Sequence, residues 1–206
     1  MKNVVFDFGQ VLVRFEPTIM VGRYVKDGED ARLLASVLFD RLYWDKLDAG
    51  TIEDEEVMRL ARERLPERLW EVADKIYYNW IYNIPEIEGM RELLLDLKKR
   101  NVKVFVLSNI CTYFASHEDE IPILSLVDKK IYSSICGLAK PDKRIFEYAC
   151  QECGIEPKDT VFVDDRLENV ESAESIGMTG YVFDGNADKL REVLEKLLDE
   201  EEKNVL

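Results

Sequence analysis

The stretch VVFDFGQVLV, residues 4–13, predicts a buried β-strand that ends in a carboxylate. Val4, Val5 and Phe6 form an uninterrupted apolar run, which is typical of a strand covered on both faces. Asp7 then places a charge where the strand ends, and Gly9 follows two residues later. Three roles are open for Asp7 at this point: an incidental strand end, a metal ligand or a nucleophile.

The rest of the chain alternates short β-branched runs with longer amphipathic segments. This alternation predicts an α/β fold, a Rossmann-like parallel sheet with helices on both faces. Strands are predicted at residues 3–7, 102–107, 130–132, 160–163 and 180–183, and helices at residues 89–100, 144–153, 169–176 and 187–198.

Residues 17–83 interrupt the alternation, because they show helical periodicity and no convincing strand. Examples are DEEVMRLARERL (54–65) and LWEVADKIYYNWIY (69–82). We therefore predict a core domain of residues 1–15 and 86–206 and an inserted α-helical cap domain of residues 16–85. The aromatic residues of the insertion are expected to pack a helical bundle, and which of them line a pocket is left open: Trp70, Tyr77, Tyr78, Trp80 and Tyr82.

The composition, with 47% apolar and 34% charged residues, is that of a soluble globular protein. A net charge of −14 disfavours nucleic acid as a partner, because its phosphates would be repelled. No apolar run is long enough to cross a membrane, and no signal-peptide pattern follows Met1. We expect a cytoplasmic protein with no membrane partner, while the oligomeric state is left open.

The four cysteines include a CxxC pair, Cys150 and Cys153. This pair lies at the end of a predicted amphipathic helix, and no second CxxC or histidine pair completes a zinc site. We expect reduced, partly buried thiols in a cytosolic protein.

Polar side chains follow the predicted strands at the points where they end. Because ligands bind at the carboxyl ends of the strands in open parallel sheets, these side chains are expected to converge on one crevice. They are Asp7 after the first strand, Ser108 and Asn109 after the second, Asp164 and Asp165 after the fourth, and Lys140 in the loop between the third and fourth.

Such a cluster has a definite chemistry. Three neighbouring carboxylates raise each other's pKa unless a cation lies among them, and Mg²⁺ prefers such oxygen ligands together with substrate phosphate. Ser108, Asn109 and Lys140 offer donors that suit phosphoryl oxygens. Asp7 is then placed to attack phosphorus and form an aspartyl phosphate.

Four segments resemble, in order, the motifs of the haloacid dehalogenase-like hydrolase superfamily: FDFGQVLV, VLSNI, GLAKPDKRIFEYA and VFVDDRLENVESAESIGMTG. The helical insertion lies where that family carries its cap. The cap sequence DKLDAGTIEDEEVMR resembles only loosely the caps of sugar-phosphate phosphatases and of the amino-terminal domain of mammalian soluble epoxide hydrolase.

The resemblance implies roles for individual residues. Asp7 would be the nucleophile and a Mg²⁺ ligand, and the carbonyl of Gly9 a second ligand. Asp165 would bind the metal directly, with Asp164 behind it or bound through water. The remaining implied roles are phosphoryl binding by Ser108 and Lys140 with Asn109 nearby, and orientation of the acidic loop by Asn169.

Gly9 departs from the family pattern. Most phosphatases of the superfamily carry a second Asp there, which protonates the leaving oxygen and later activates water. General acid–base catalysis contributes about 10²- to 10⁴-fold, so its absence predicts slow turnover, a substituted acid or different chemistry. Members with Asp-x-Gly-Asn-Val act on sugar phosphates, and FDFGQV resembles them with Gln10 in place of Asn.

Three functions follow from this departure. The first is a Mg²⁺-dependent phosphatase acting on a small phosphorylated metabolite, possible substrates including sugar phosphates. The second is a metal-independent 2-haloacid dehalogenase, which also lacks the second Asp; Asp164 and Asp165 would then be uncompensated charges facing an anionic substrate. The third is a catalytically weak binding protein, which would have no reason to retain the other polar groups. The phosphatase is the preferred prediction.

Overall fold

The computed structural model describes residues 2–204, and its centre is a five-stranded sheet. All neighbouring strands are parallel, in the order β3-β2-β1-β4-β5. The predicted α/β fold is thereby confirmed. The strands are β1 (Asn3–Phe6), β2 (Lys103–Ser108), β3 (Lys129–Tyr132), β4 (Thr160–Asp164) and β5 (Thr179–Val182).

Strand β1 lies in the middle of the sheet, and all four of its residues are buried. Its side chains alternate between two apolar layers, as the pleat of a strand requires. Val4 and Phe6 belong to the larger layer, whereas Val5 packs with Phe105 and Phe162 on the opposite face. Double coverage explains why the strand is a continuous apolar run rather than an alternating one.

Helices cover both faces of the sheet. On one face lie buried residues of α6 and α11, and on the other those of α9 and α10. The helices are α1 (Pro17–Gly22), α2 (Gly28–Leu38), α3 (Arg41–Asp48), α4 (Asp54–Arg64), α5 (Trp70–Tyr77), α6 (Met90–Lys99), α7 (Thr112–Ser116), α8 (Ser133–Cys136), α9 (Lys143–Cys153), α10 (Leu167–Glu174) and α11 (Ala187–Asn204). Short 3₁₀ turns lie at Glu67–Leu69, Trp80–Asn83, Glu118–Glu120, Pro122–Leu126 and Pro157–Asp159.

Residues 17–83 form helices α1 to α5 and two 3₁₀ turns. Their buried side chains, such as Leu34, Met58 and Ile76, belong to the same apolar cluster as Val4 and Phe6 of the sheet. The helical insertion therefore shares its apolar packing with one face of the sheet. The boundaries of a separate cap domain, residues 16–85, stay a prediction.

Several predicted element boundaries move by one or two residues. Asp7 lies just after β1 instead of ending it, and Ser108 is the last residue of β2 instead of following it. The loop with Lys140 runs on to Asp142, whose carboxylate caps α9, so this helix begins at Lys143, one residue before the predicted start at residue 144. Among residues 2–204, no helix is long and apolar enough to cross a membrane.

Candidate active site

The carboxyl ends of β1, β2 and β4 bring three polar residues together. Phe6 pairs with Val106 on one side and Val163 on the other, and the amide of Asp7 donates to the Val163 carbonyl at 2.8 Å. The next residues along β2 and β4 lead to Ser108 and Asp164. All three polar residues are buried, although each follows an apolar run. Parallel register thus converts three separate strand ends into one site.

Lys140 connects two of these strand ends. Its ammonium lies 2.9 Å from Asp7 Oδ1 and 2.6 Å from Asp164 Oδ2, and its side chain is only 2% exposed. Burial alone would lower the pKa of this amine, but the charges of Asp7 and Asp164 outweigh that effect and raise it. The lysine is therefore a fixed positive charge in the site.

Asn109 holds the Lys140 loop in place. Its side-chain amide donates to the Lys140 carbonyl at 2.9 Å, and its side-chain oxygen accepts from the Lys140 amide at 2.8 Å. This reciprocal pair anchors the loop to the end of β2. The structure thus shows Asn109 positioning the lysine, and its predicted contact with a phosphoryl group stays a prediction.

The two neighbouring acids of the fourth motif have different surroundings. Asp164 is fully buried and accepts hydrogen bonds from the Lys140 ammonium and the Arg166 amide. The side-chain nitrogen of Asn169 donates to both of its carboxylate oxygens, each at 3.0 Å. Asp165 is exposed to the cavity. The donors around Asp164 occupy its oxygens, so Asp165 is the acid of the pair that is free to bind a ligand.

The charges of the cluster do not balance. Three carboxylates, Asp7, Asp164 and Asp165, each offer an oxygen within 4.8 Å of the others, and Lys140 compensates only one negative charge. Burial raises the pKa of Asp7, a shift that Lys140 opposes and Asp164 increases. Burial, Asp7 and Asp164 raise the pKa of Asp165 to about 6. The uncompensated charge fits a divalent cation.

Two further oxygens fit a hard cation at this place. In the described part of the chain, no backbone amide donates to the Gly9 carbonyl. The side-chain oxygen of Asn169 is buried without a hydrogen-bond partner. Buried acceptors usually have partners, so the unpaired Asn169 oxygen fits a site that takes a bound cation. The donor set is all oxygen, as Mg²⁺ prefers.

Gly9 itself is not required by the backbone. The backbone angle φ of Gly9 is not positive, and a Cβ added there would meet no atom within 4 Å. The strained residue of this turn is Gln10, with φ of 60°, whose side chain donates to the Phe15 carbonyl at 2.9 Å. The backbone and its immediate surroundings therefore do not exclude a Cβ at position 9.

A cavity of about 470 Å³ opens above these strand ends. One wall consists of aromatic rings in mutual contact: Phe15, Phe39, Trp44 and Trp80 have ring centres 5.3 to 5.8 Å apart. Of the aromatic residues singled out in the sequence, Trp80 lines the cavity. The other three of this wall were missed, because the sequence does not distinguish an aromatic ring that lines a cavity from one in the core.

Helix α3 contributes a polar wall that the sequence interpretation also missed. Arg41, Asp45 and Asp48 line the cavity. Their spacing of four and three residues places them on one helical face, which was the available signal. Asp48 is the last residue of α3, and burial, followed by the charge of Asp45, raises the pKa of its carboxyl group to about 7.

Comparison with known proteins identifies the family. Residues 1–177 match the model of the haloacid dehalogenase-like hydrolase family, so the chain belongs to that family and is a hydrolase. Flavin mononucleotide hydrolase 1 of Arabidopsis thaliana is 30% identical over 76% of this chain, which spans 62% of that protein. D-ribitol-5-phosphate phosphatase of Bacteroides thetaiotaomicron is 25% identical over 93% of this chain and 96% of its own length.

Solved structures share the fold. A haloacid dehalogenase family enzyme of Bacteroides thetaiotaomicron, in complex with magnesium and inorganic phosphate, superposes with a TM-score of 0.66. The two chains are 20% identical, and the match covers 90% of this chain and 96% of that one. The predicted family resemblance and fold are thus confirmed.

Proposed function

We propose that the protein is a Mg²⁺-dependent phosphatase that hydrolyses a small phosphomonoester through an aspartyl phosphate on Asp7. One observation carries this proposal: three carboxylates, one lysine and one serine lie together at the carboxyl ends of β1, β2 and β4. Phosphatases among the relatives support the same chemistry.

Asp7 is oriented for attack on phosphorus. Its Oδ1 atom accepts from the Phe8 amide at 2.7 Å and lies 2.9 Å from the Lys140 ammonium. Two donors on one oxygen fix the rotation of the carboxylate. In the proposed reaction an Asp7 oxygen bonds to phosphorus as the ester bond breaks, and water then cleaves the aspartyl phosphate.

Lys140 and Ser108 are placed to bind phosphoryl oxygens. Both are buried at the floor of the cavity, beside Asp7. A fixed ammonium and a hydroxyl donor stabilise the negative charge on a phosphoryl group without reorganisation. The Mg²⁺ would be held by Asp7, the Gly9 carbonyl and Asp165, with Asp164 and Asn169 behind them, and it would neutralise charge on the phosphoryl oxygens.

The cavity supports a substrate with a flat or apolar organic part. Four aromatic rings form its wall, and these rings make favourable contacts with apolar or aromatic groups. Arg41 at the same cavity offers a positive charge to a second polar group. We therefore favour an aryl or apolar phosphomonoester over a sugar phosphate.

Dehalogenation is the competing reaction. The L-2-haloacid dehalogenase of Xanthobacter autotrophicus shares the fold, with a TM-score of 0.62 at 16% identity, over 87% of this chain and 76% of that one. Lys140 compensates Asp164, so the two motif acids are not both unpaired. Asp165 is still an unneutralised acid beside Asp7, which disfavours an anionic substrate without a metal.

A phosphate-release assay tests the proposal. The wild type should release phosphate from an aryl phosphate with Mg²⁺ and none with chelator, and it should prefer aryl over sugar phosphates. Asp7→Asn should lose on the order of 10³-fold or more while keeping its circular dichroism spectrum. Asp184→Asn, at an exposed site outside the cavity, is the control.

The proposal fails if no phosphomonoester is hydrolysed. Chloride release from 2-chloropropionate without metal would establish dehalogenation instead. Equal inactivity of the wild type and Asp7→Asn in both assays would indicate the binding protein.

A further inference from the structure

Position 9 presents an unsolved chemical problem for a phosphatase. An alcohol leaving group needs a proton, and the later attack by water needs a base. Gly9 supplies neither, and the space around its Cα is open to the cavity. Efficient turnover would then need another side chain that reaches the same cavity.

The other acids in or beside the cavity already have partners or other roles. Asp164 is held by Lys140 and Asn169, and Asp165 faces the cation site. The side chain of Asp45 is 66% exposed and lies 3.3 Å from the Arg41 guanidinium. Asp7 also lines the cavity, but it is the proposed nucleophile. Among the described residues of the lining, Asp48 is therefore the carboxyl group that has no other role.

The backbone of Asp48 is fixed to the core of the molecule. Ser133 at the start of α8 donates its hydroxyl to the Asp48 carbonyl at 2.5 Å. The hydroxyl oxygen of Ser133 in turn accepts from the Ile110 amide at 2.9 Å. Ile110 follows Ser108 and Asn109 in the loop after β2. A continuous hydrogen-bonded path therefore connects the end of α3 with the phosphoryl-binding loop.

A second contact fixes the same end of α3. Gly50 follows the helix with φ of 66°, and a Cβ there would lie 3.1 Å from the Ser134 carbonyl. A side chain at position 50 would be strained by this φ and would require the Ser134 backbone to shift. The backbone at Asp48 is therefore held from two sides, unlike that of an acid on a surface loop.

We propose that Asp48 is the general acid and base of the reaction, in place of the side chain missing at position 9. This inference rests on the proposed phosphatase function. It adds a catalytic residue from the helical insertion to a site otherwise made from strand ends.

Asp48 donates one proton in the first step and takes one up in the second. As an Asp7 oxygen bonds to phosphorus and the ester P–O bond breaks, the Asp48 carboxyl group gives its proton to the leaving oxygen. The alcohol departs, and Asp48 is a carboxylate. It then takes a proton from the water that attacks phosphorus, so that Asp7 leaves as a carboxylate, inorganic phosphate forms and Asp48 is protonated again.

The surroundings of Asp48 suit both states. Burial, the main cause, and the charges of Asp45 and Asp7 raise its pKa to about 7, whereas Arg41 and Lys140 oppose the rise. An acid–base catalyst works best when its pKa lies near the working pH. The charged or titratable groups that face Asp48 are Arg41 and Asp45 on α3, Asp7 after β1, Lys140 before α9 and Cys111 before α7.

Asp48→Asn, compared with Asp184→Asn, is the first test. Asp184 is an exposed acid that does not line the cavity. With an alkyl phosphate, Asp48→Asn should lose about 100-fold or more in kcat/KM. With 4-nitrophenyl phosphate the loss should be much smaller, because that leaving group departs without a proton. The decrease of kcat/KM above about pH 7 should vanish in Asp48→Asn alone.

Different results would contradict the role of Asp48 and the phosphatase proposal. A pH profile of Asp48→Asn that keeps the wild-type decrease, or equal losses with both substrates, would overturn the inference. An inactive wild type would instead overturn the phosphatase proposal, so the two failures are distinguishable.

Gly9→Asp provides a rescue test. Position 9 accepts a Cβ without a clash or an unfavourable φ. The double variant Gly9→Asp/Asp48→Asn should regain at least about tenfold of the lost activity toward the alkyl phosphate, since an acid then stands beside the leaving oxygen. If Gly9→Asp alone is active and the double variant gains nothing over Asp48→Asn, Asp48 acts in another way.

Discussion

Lys140 is the residue on which the charge of the site depends. It is buried between Asp7 and Asp164, and its position comes from a loop held by the Asn109 side chain. Removing one partner of a buried ion pair leaves an uncompensated charge, which costs more than the pair contributes. The lysine is thus structural before any substrate arrives.

Lys140→Met should lower the free energy of unfolding by about 3 to 5 kcal/mol at pH 7.5 in chelator. Urea denaturation measures this change. Lys143→Met, three residues later and exposed, is the matched control and should change stability by less than about 0.5 kcal/mol. The decrease in the free energy of unfolding caused by Lys140→Met should become smaller as the pH falls, because the facing carboxylates become protonated. A decrease that does not depend on pH would contradict the electrostatic explanation.

At the scale of elements, α3 and α8 form the contact between the helical insertion and the core at the active site. Ser133 in α8 is fully buried and satisfies two backbone groups, the Asp48 carbonyl and the Ile110 amide. The neighbouring Ser134 has a buried hydroxyl without a partner. Two adjacent serines in one short helix therefore have opposite energetic roles.

Ser133→Ala should cost about 1 to 3 kcal/mol, because it leaves a buried amide and carbonyl unpaired. It should also reduce kcat, since the end of α3 loses its anchor. Ser134→Ala is the matched control and should be neutral or slightly stabilising, because it removes an unsatisfied polar atom. Thermal unfolding and phosphate release measure both effects, and equal behaviour of the two variants would exclude the anchoring role.

The elements differ in how far they could be predicted. Strands β1, β2 and β4 are predictable because double burial makes them apolar runs, and parallel pairing brings their ends together. The spacing of the polar residues in α3 indicates one polar face, but the sequence does not show that this face meets the active site, because the contact of Asp48 with Ser133 joins residues 85 positions apart. The aromatic wall was equally hidden, since Phe39 and Trp44 resemble ordinary core residues of a helical segment.

For the whole molecule, a local cluster of acids adds to a strongly negative net charge. The net charge is −14, and Asp7, Asp164 and Asp165 offer oxygens within 4.8 Å of one another. Repulsion among these carboxylates destabilises the folded state in the absence of a cation. A ligand that binds only the folded state stabilises it by mass action.

Mg²⁺ at about 100 times its dissociation constant should stabilise the wild type by about 2.7 kcal/mol, and chelator should reverse the effect. Thermal unfolding measures this stabilisation without any substrate. Asp165→Asn should abolish most of the shift, whereas Asp142→Asn, outside the cation site, should retain it. An equal Mg²⁺ response in the wild type and Asp165→Asn would remove Asp165 from the ligand set.

The central position of β1 has a consequence for how the molecule is made. Asn3 pairs with Lys103 on one side and with Thr160 on the other. A nascent chain therefore carries an unpaired apolar strand until residue 103 has been synthesised, and the second side waits for residue 160. Such late pairing slows folding and leaves the apolar strand β1 exposed to aggregation during synthesis. We expect β1 to be a segment that chaperones bind at this stage. Asp7, which directly follows this strand, gains its neighbour Lys140 only when the chain has reached residue 140.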